Sequence, residues 1–374
     1  MPKLPHLMIP PVAMRHIDQA DRFAGNGQWT TLQQFGTNPG NLVGHVYRPA
    51  SLAADAALVV VLHGCTQTAS GYDTGSGWSQ MADRHGFALL FPEQQRANNP
   101  NLCFNWFNPD DSRRGSGEAL SIREMIASVA AAHPMDPSRI FVTGLSAGGA
   151  MASIMLATYP EIFAGGAIIA GLPFGCATTI PEAFDRMRGR GLPTQGELAA
   201  LVRNASGHDG PWPTLSIWQG SGDTTVNPSN AEAIIAQWRS LHGVGAEPDR
   251  VEAVDGYPRR IWRNADGRDV IEEFSITGMG HGTPLDTRGA DGCGTATAFM
   301  LEAHISSTRH ICRFWGLIPA GEEADIHHIA ASPPATPKAP NRPGVPTGAE
   351  RWPSPGGAVG QVIEDALRTA GLIR

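Results

Sequence analysis

Arg139-Ile140-Phe141-Val142-Thr143-Gly144-Leu145-Ser146-Ala147-Gly148-Gly149 is the stretch whose reading decides the fold. Its first five residues make an apolar run of strand length, and the run leads into a helix-compatible segment from Gly149 to Tyr159. Between the two stands Gly-x-Ser-x-Gly, Gly144 to Gly148. A serine on a sharp strand-to-helix turn is forced into a strained backbone, and glycines two before and two after leave room for the close approach. The spacing predicts an elbow that lifts the Ser146 hydroxyl above the edge of a sheet.

Outward from this point, strand-length apolar runs alternate with helix-period segments. The strands are expected at Leu58–Leu62, Ala88–Phe91, Arg139–Thr143, Ala164–Ala170, Leu215–Gln219 and Val270–Ile276. Ile122, Met125, Ile126 and Val129 recur at helical spacing, with Pro134 ending that helix, and Ser229 with Glu232 reads as a capping box ahead of Ile234 and Trp238. The alternation predicts an α/β protein of the α/β-hydrolase type, a mostly parallel central sheet with helices on both faces. The catalytic domain is expected over residues 30–318, after a leader of residues 1–29. Residues 173–213 interrupt the alternation, as a cap over the site or as an ordinary excursion.

A serine hydroxyl is nearly inert at neutral pH, so an imidazole must take its proton and a carboxylate must fix that imidazole's tautomer. In this fold the partners follow in the order Ser, acid, His. His281, in Gly278-Met279-Gly280-His281-Gly282, directly follows an expected strand. His208, His242, His304 and His310 stand in contexts that read as loop or helix surface. Asp223 follows Leu215–Gln219 and should emerge at the carboxyl edge of the sheet, which neither Asp209 nor Asp255 does. Ser146, Asp223 and His281 are therefore the expected triad, and activity should fall as His281 takes up a proton. Leu62-His63-Gly64-Cys65 ends the first core strand. The backbone N–H groups of Cys65 and Ala147 are the expected oxyanion donors, with His63 organising the loop by hydrogen bonds. Asn105, Trp106 and Trp218 are candidate substrate-pocket residues, although core packing is the commoner use of such aromatics.

A net charge of −7 carries no electrostatic footprint for nucleic acid, and none is assigned as partner. No run approaches the ~20 apolar residues that cross a bilayer, so no transmembrane segment and a soluble protein are expected. Nothing reads as a secretory signal, which points to the cytoplasm. His327-His328 lacks ligands at useful spacing; neither a metal nor a cofactor is assigned. Five cysteines, Cys65, Cys103, Cys176, Cys293 and Cys312, leave at least one thiol unpaired. They read either as buried free thiols or as including a bridge such as Cys65 to Cys103. Oligomeric state is not legible.

His63-Gly64-Cys65-Thr66-Gln67, Asn105-Trp106-Phe107, Asp136-Pro137-Ser138-Arg139, the elbow and Ala170-Gly171-Leu172-Pro173 occur together. The combination resembles the poly(3-hydroxybutyrate) depolymerase family of esterases over roughly residues 30 to 318, and single pieces are also similar to feruloyl and acetylxylan esterases. The resemblance implies a serine esterase acting on an ester substrate, oligomeric or polymeric, with the triad on Ser146, Asp223 and His281 and an oxyanion donor at Cys65. It also implies secretion, against the missing signal. Secreted members that attack crystalline polymer carry an export signal and a separate substrate-binding domain, neither recognisable here, so short-chain hydroxyalkanoate esters or oligomers are the expected substrates. The alternative is a feruloyl or acetylxylan carbohydrate esterase; a non-catalytic binding module is disfavoured because all three triad positions are filled.

The C-terminal region changes character. Pro334, Pro337, Pro340, Pro343 and Pro346 recur every third residue, the repeat of polyproline II, and residues 319–357 read as a semi-rigid linker. Residues 358–374 carry an apolar stripe, Val359, Val362, Ile363, Ala366 and Leu367, of an amphipathic helix.

Overall fold

The computed structural model describes residues 26–133 and 135–318. The expected linker, the terminal helix, Pro134 and most of the leader lie outside them. Among the described residues the strands are β1 (Gln28–Thr31), β2 (Val43–Arg48), β3 (Ala56–Leu62), β4 (Ala88–Glu93), β5 (Met135–Leu145), β6 (Gly165–Ile169), β7 (Thr214–Gly220), β8 (Arg250–Val254), β9 (Tyr257–Arg263), β10 (Asp269–Ile276), β11 (Thr283–Leu285) and β12 (Met300–Glu302). The helices are α1 (Ala69–Ser76), α2 (Trp78–His85), α3 (Pro109–Ser112), α4 (Gly117–Ala132), α5 (Ala147–Thr158), α6 (Ile180–Met187), α7 (Gln195–Ser206), α8 (Ser229–His242) and α9 (Ser307–Phe314). β1 starts inside the stretch expected as leader and pairs with β2, so the folded body reaches back at least to Gln28.

Ten strands form one sheet in the order β1-β2-β4-β3-β5-β6-β7-β10-β9-β8, and β11 pairs with β12 apart from it. β4, β3, β5, β6, β7 and β10 run parallel, and β1, β2, β9 and β8 are antiparallel additions at the two edges. The six expected strands are the six parallel ones. Alternate side chains of β3 divide between two cores: Leu58, Val60 and Leu62 meet residues of α4 and α5, while Ala57, Val59 and Val61 meet residues of α1, α2 and α9. This is the alternation of a strand buried on both faces. The chain leaves β3 toward β4 on one side and returns to β5 on the other. The carboxyl ends of β3 and β5 therefore flank a topological switch point, where open α/β sheets bind ligands.

The expected helix around Ile122 is α4, with Ile122, Met125, Ile126 and Val129 all buried. The capping box at Ser229 is corrected. Pro228 is the N-cap of α8, and no side chain caps it. Ser229 is already the first helical residue, its N–H donates to Asn227 Oδ1 at 3.0 Å, and Glu232 turns away to pair with Arg260 at 2.5 Å. Among the described residues no helix is long and apolar enough to cross a membrane.

Candidate active site

Ser146 lies between the last residue of β5 and the first of α5 with φ 58° and ψ −117°, a region L-residues rarely adopt. A Cβ on Gly148 would sit 2.3 Å from the Leu62 carbonyl oxygen, and one on Gly144 2.3 Å from that of Gly148. Only glycine fits either position, which is why the motif takes this form. The Ser146 N–H donates to the Ile169 carbonyl at 2.9 Å, tying the turn to β6. Its side chain stands at the mouth of a cleft, 8% exposed.

Asp223 follows β7 and is buried. Its Oδ1 accepts from the Thr225 and Val226 N–H groups at 2.8 and 2.9 Å, and its Oδ2 accepts from Gln219 Nε2 at 3.1 Å and from His281 Nδ1 at 2.8 Å. Four N–H donors on two oxygens suit an ionised carboxylate, which accepts only. With Nδ1–H turned to Asp223, the imidazole's Nε2 is its accepting nitrogen. The loop carrying His281 is fastened to the loop carrying Asp223: Gly222 N–H donates to the Met279 carbonyl at 2.9 Å, and Gly278 N–H to Ser221 Oγ at 2.8 Å. Ser146 and His281 line the same small space of about 210 Å³, together with Cys65, Gln67 and Phe299. The rival acid Asp255 pairs instead with His310 Nε2 at 2.8 Å, and Asp209 is exposed.

Between β3 and α1, His63 is buried, and burial holds its imidazole below the usual pKa. Its Nδ1 donates to the Gly64 carbonyl at 2.8 Å, and its Nε2 accepts from the Gln94 N–H at 3.1 Å. The ring thus braces the loop as a neutral tautomer. Thr66 N–H donates to the Asn101 carbonyl and Gly64 N–H to Gln67 Oε1, so both neighbours of Cys65 are anchored. Among the described residues the N–H groups of Cys65 and Ala147 have no protein acceptor, and both residues line the cleft beside Ser146. Cys65 is disulfide-bonded to Cys103, whereas Cys176, Cys293 and Cys312 are free and buried. Of the two readings of the cysteines the bridged one applies.

The cleft, about 750 Å³ counted together with the open solvent at its mouth, is lined by Trp106, Phe107 and Leu172 and by Ile180, Phe184 and Met187 of α6. Asn99, Asn101 and Thr66 supply polar atoms within it. Trp106, one of the residues expected at a substrate pocket, does line this space. Trp218 does not: it is fully buried, stacked on Phe274 at 4.0 Å between ring centroids, and its Nε1 donates to Ser216 Oγ at 2.8 Å. It lies within β7, in register with Phe274 of the parallel β10, and packs into the core rather than lining the cleft. Asn105 does not line the cleft either. Its Oδ1 accepts from Asn99 Nδ2 at 3.0 Å, and it acts on the wall through that residue. The contribution of α6 was missed, although Ile180, Ala183, Phe184 and Met187 recur at i, i+3, i+4 and i+7, the signature of one helix face. Away from these residues, Asp286, Glu302 and His304 bring three potential metal-ligand atoms within 4.8 Å of one another on the surface.

The sheet order, the elbow at its switch point and the acid-imidazole pair beyond β7 and β10 define an α/β-hydrolase. The sequence pattern of the family described as Esterase PHB depolymerase matches residues 43–252. The chain belongs to that family, and it is a carboxylic-ester hydrolase. It is 47% identical over 291 residues to poly(3-hydroxyalkanoate) depolymerase C of Paucimonas lemoignei, covering 77% of this chain and 70% of that protein. It is 33% identical over 265 residues to an acetylxylan esterase of Coprinopsis cinerea, covering 69% and 70% respectively. Among solved structures it is similar to an acetyl xylan esterase from Aspergillus awamori, with a TM-score of 0.66 at 26% identity over 78% of this chain and all of that one.

Proposed function

We propose that the protein hydrolyses short-chain hydroxyalkanoate esters or oligomers through an acyl-enzyme on Ser146. The observation that carries this reading is the His281 Nδ1 to Asp223 Oδ2 bond of 2.8 Å, which leaves Nε2 facing a space shared with a strained serine. Nε2 takes the Ser146 proton as Oγ attacks the ester carbonyl. The oxyanion that forms accepts hydrogen bonds from the Cys65 and Ala147 N–H groups, which are rigidly held and need not reorganise. The alcohol leaves with the proton returned by His281. Water then attacks the acyl-enzyme by the same route, and the acid is released.

The two spaces beside Ser146 divide the substrate. The leaving oxygen must reach His281, so the alcohol belongs to the small space bounded by His281 and Phe299. The acyl group then extends into the large, mostly apolar cleft, where Asn99 and Asn101 offer hydrogen bonds to a hydroxyl on the chain. An acetyl group would leave most of that cleft to water, which favours a hydroxyacyl chain. Similarity to acetylxylan esterases supports a carbohydrate esterase as the second reading.

The test has two arms. A fluorophosphonate probe should label wild-type protein once, at Ser146, and Ser146→Ala should lose labelling together with a factor on the order of 10⁶ in turnover. Initial rates on hydroxybutyrate oligomers, feruloyl esters and acetylated xylan should favour the oligomers. Labelling elsewhere ends the case for the nucleophile, and a preference for acetylated xylan ends the case for the substrate.

A further inference from the structure

Glu118, in the first turn of α4, is fully buried and has no part in the acyl transfer described above. Three N–H groups converge on its carboxyl. Gln94 Nε2 at 2.5 Å and Asn105 Nδ2 at 2.9 Å donate to Oε1, and the Asn105 backbone N–H donates to Oε2 at 2.8 Å. Burial, with the Asp111 charge nearby, pushes its pKa up to about 8. An acid in such a place is costly to the fold.

Both of its partners lead to the oxyanion loop. The Gln94 amide nitrogen that reaches Glu118 also donates to the Cys103 carbonyl at 3.0 Å, and Cys103 is bonded to Cys65. The Gln94 backbone N–H holds His63, which in turn holds the Gly64 carbonyl. Along the second route, Asn105 Oδ1 accepts from Asn99, Asn99 Oδ1 accepts from the Asn101 N–H at 2.9 Å, and the Asn101 carbonyl accepts from the Thr66 N–H at 2.7 Å. The two routes end at Gly64 and Thr66, on either side of the free Cys65 N–H. We infer that Glu118 is a positioning residue for the reaction: through Gln94 and Asn105 it fixes the Cys65 N–H and the Asn99 side of the cleft against the reacting ester. A hydrophobic residue of similar size could fill the space but could hold neither partner.

The inference rests on acyl transfer at Ser146, and the experiment separates the two. Glu118→Gln keeps the size but offers one oxygen and one NH₂ group, so the Asn105 N–H or both amide donors lose their acceptor. Asn99→Ala, on the partly exposed wall, cuts the second route and leaves the Gln94 route in place, and an acyl group without a hydroxyl does not feel the loss of a direct contact with Asn99. With a short-chain chromogenic ester, Glu118→Gln should lower kcat roughly tenfold with KM nearly unchanged, less than the ~10²–10³ that follows removal of an oxyanion donor outright. Affinity for an alkyl boronic acid, whose tetrahedral adduct places an oxygen in the hole, should fall by the same factor. Asn99→Ala should give a smaller loss of the same kind, and the two losses should not add. Thermal melting accompanies each measurement, because a role in stability alone would lower Tm while leaving kcat per labelled site and boronate affinity as in wild type; that result overturns the inference. If Glu118→Gln fails to fold, Asn99→Ala decides by the same readouts. Failure of wild-type protein to label at Ser146 would instead remove the acyl-transfer reading itself.

Discussion

Asp223 has a hydrogen-bond partner for every acceptor direction it offers within the site, and this makes it more sensitive than its burial alone suggests. The Thr225 and Val226 N–H groups hold Oδ1, so an asparagine placed there keeps its oxygen on that side. Its NH₂ group then faces Gln219 Nε2 and His281 Nδ1, both now donor against donor. The imidazole can escape only by moving its proton to Nε2, which is the nitrogen that must accept from Ser146. Asp223→Asn is expected to lower kcat by a factor on the order of 10⁴ while fluorophosphonate still occupies the site slowly. A variant that keeps a tenth or more of wild-type turnover would show that the tautomer is not set by Asp223. That Asp223 stands at the carboxyl edge of the sheet, bonded to His281, was legible because it follows an apolar strand and the strand order of the fold does the rest. The two-sided grip on it from Gln219 and the Val226 turn was not legible, because it depends on how the chain curls after Gly220.

At the scale of elements, what the sequence made readable follows burial. The central parts of β3, β4, β5, β6, β7 and β10 are covered on both faces, so they appear as mostly apolar runs, whereas the edge strand β8 (RVEAV) and its neighbour β9 (YPRRIWR) are partly exposed and carry charge. Glu272 and Glu273 of β10 are the exception: both are buried, and Arg259 and Arg260 of β9 reach across to them at 2.5 and 2.9 Å. The loops between elements were legible only where glycine or a motif marked them. The Cys65–Cys103 bridge could be named but not chosen, since spacing does not reveal which thiols meet. It joins the loop after β3 to the loop after β4 across 38 residues of chain. Closing a loop of that length restricts the unfolded chain and should contribute about 2–4 kcal/mol. Chemical denaturation of wild-type protein and of the Cys65→Ser, Cys103→Ser double variant should differ by that amount, and dithiothreitol should shift the wild-type curve alone. Coincident curves would mean that the pinned ends are already close in the unfolded chain.

For the whole molecule, the two faces of the sheet each bury an acid, and pH acts on both. Asp73 of α1 lies in the layer with α2 and α9, and burial with Asp83 nearby pushes its pKa from 3.8 up to about 7. Glu118 lies in the opposite layer with its pKa raised from 4.5 to about 8. In the unfolded chain both lose their protons near pH 4, while the folded protein keeps them until pH 7 to 8. Across that window the folded state binds more protons, so stability falls as pH rises, and the loss is complete only above the folded values. Exposed acids such as Glu124 and Glu302, whose partners hold them low, act in the opposite sense. Comparing a single variant with wild type removes their contribution. Asp73→Asn keeps an oxygen for the Ser79 N–H, which Oδ1 accepts at 2.7 Å, but has no charge to bury. Its stability relative to wild type should therefore climb between about pH 4 and pH 7, by at most about 4 kcal/mol, since each tenfold change in proton affinity on folding is worth about 1.36 kcal/mol. Guanidinium denaturation at three or four pH values across the window measures this directly. A difference that stays constant with pH would mean that Asp73 ionises in the folded protein as freely as in the unfolded chain.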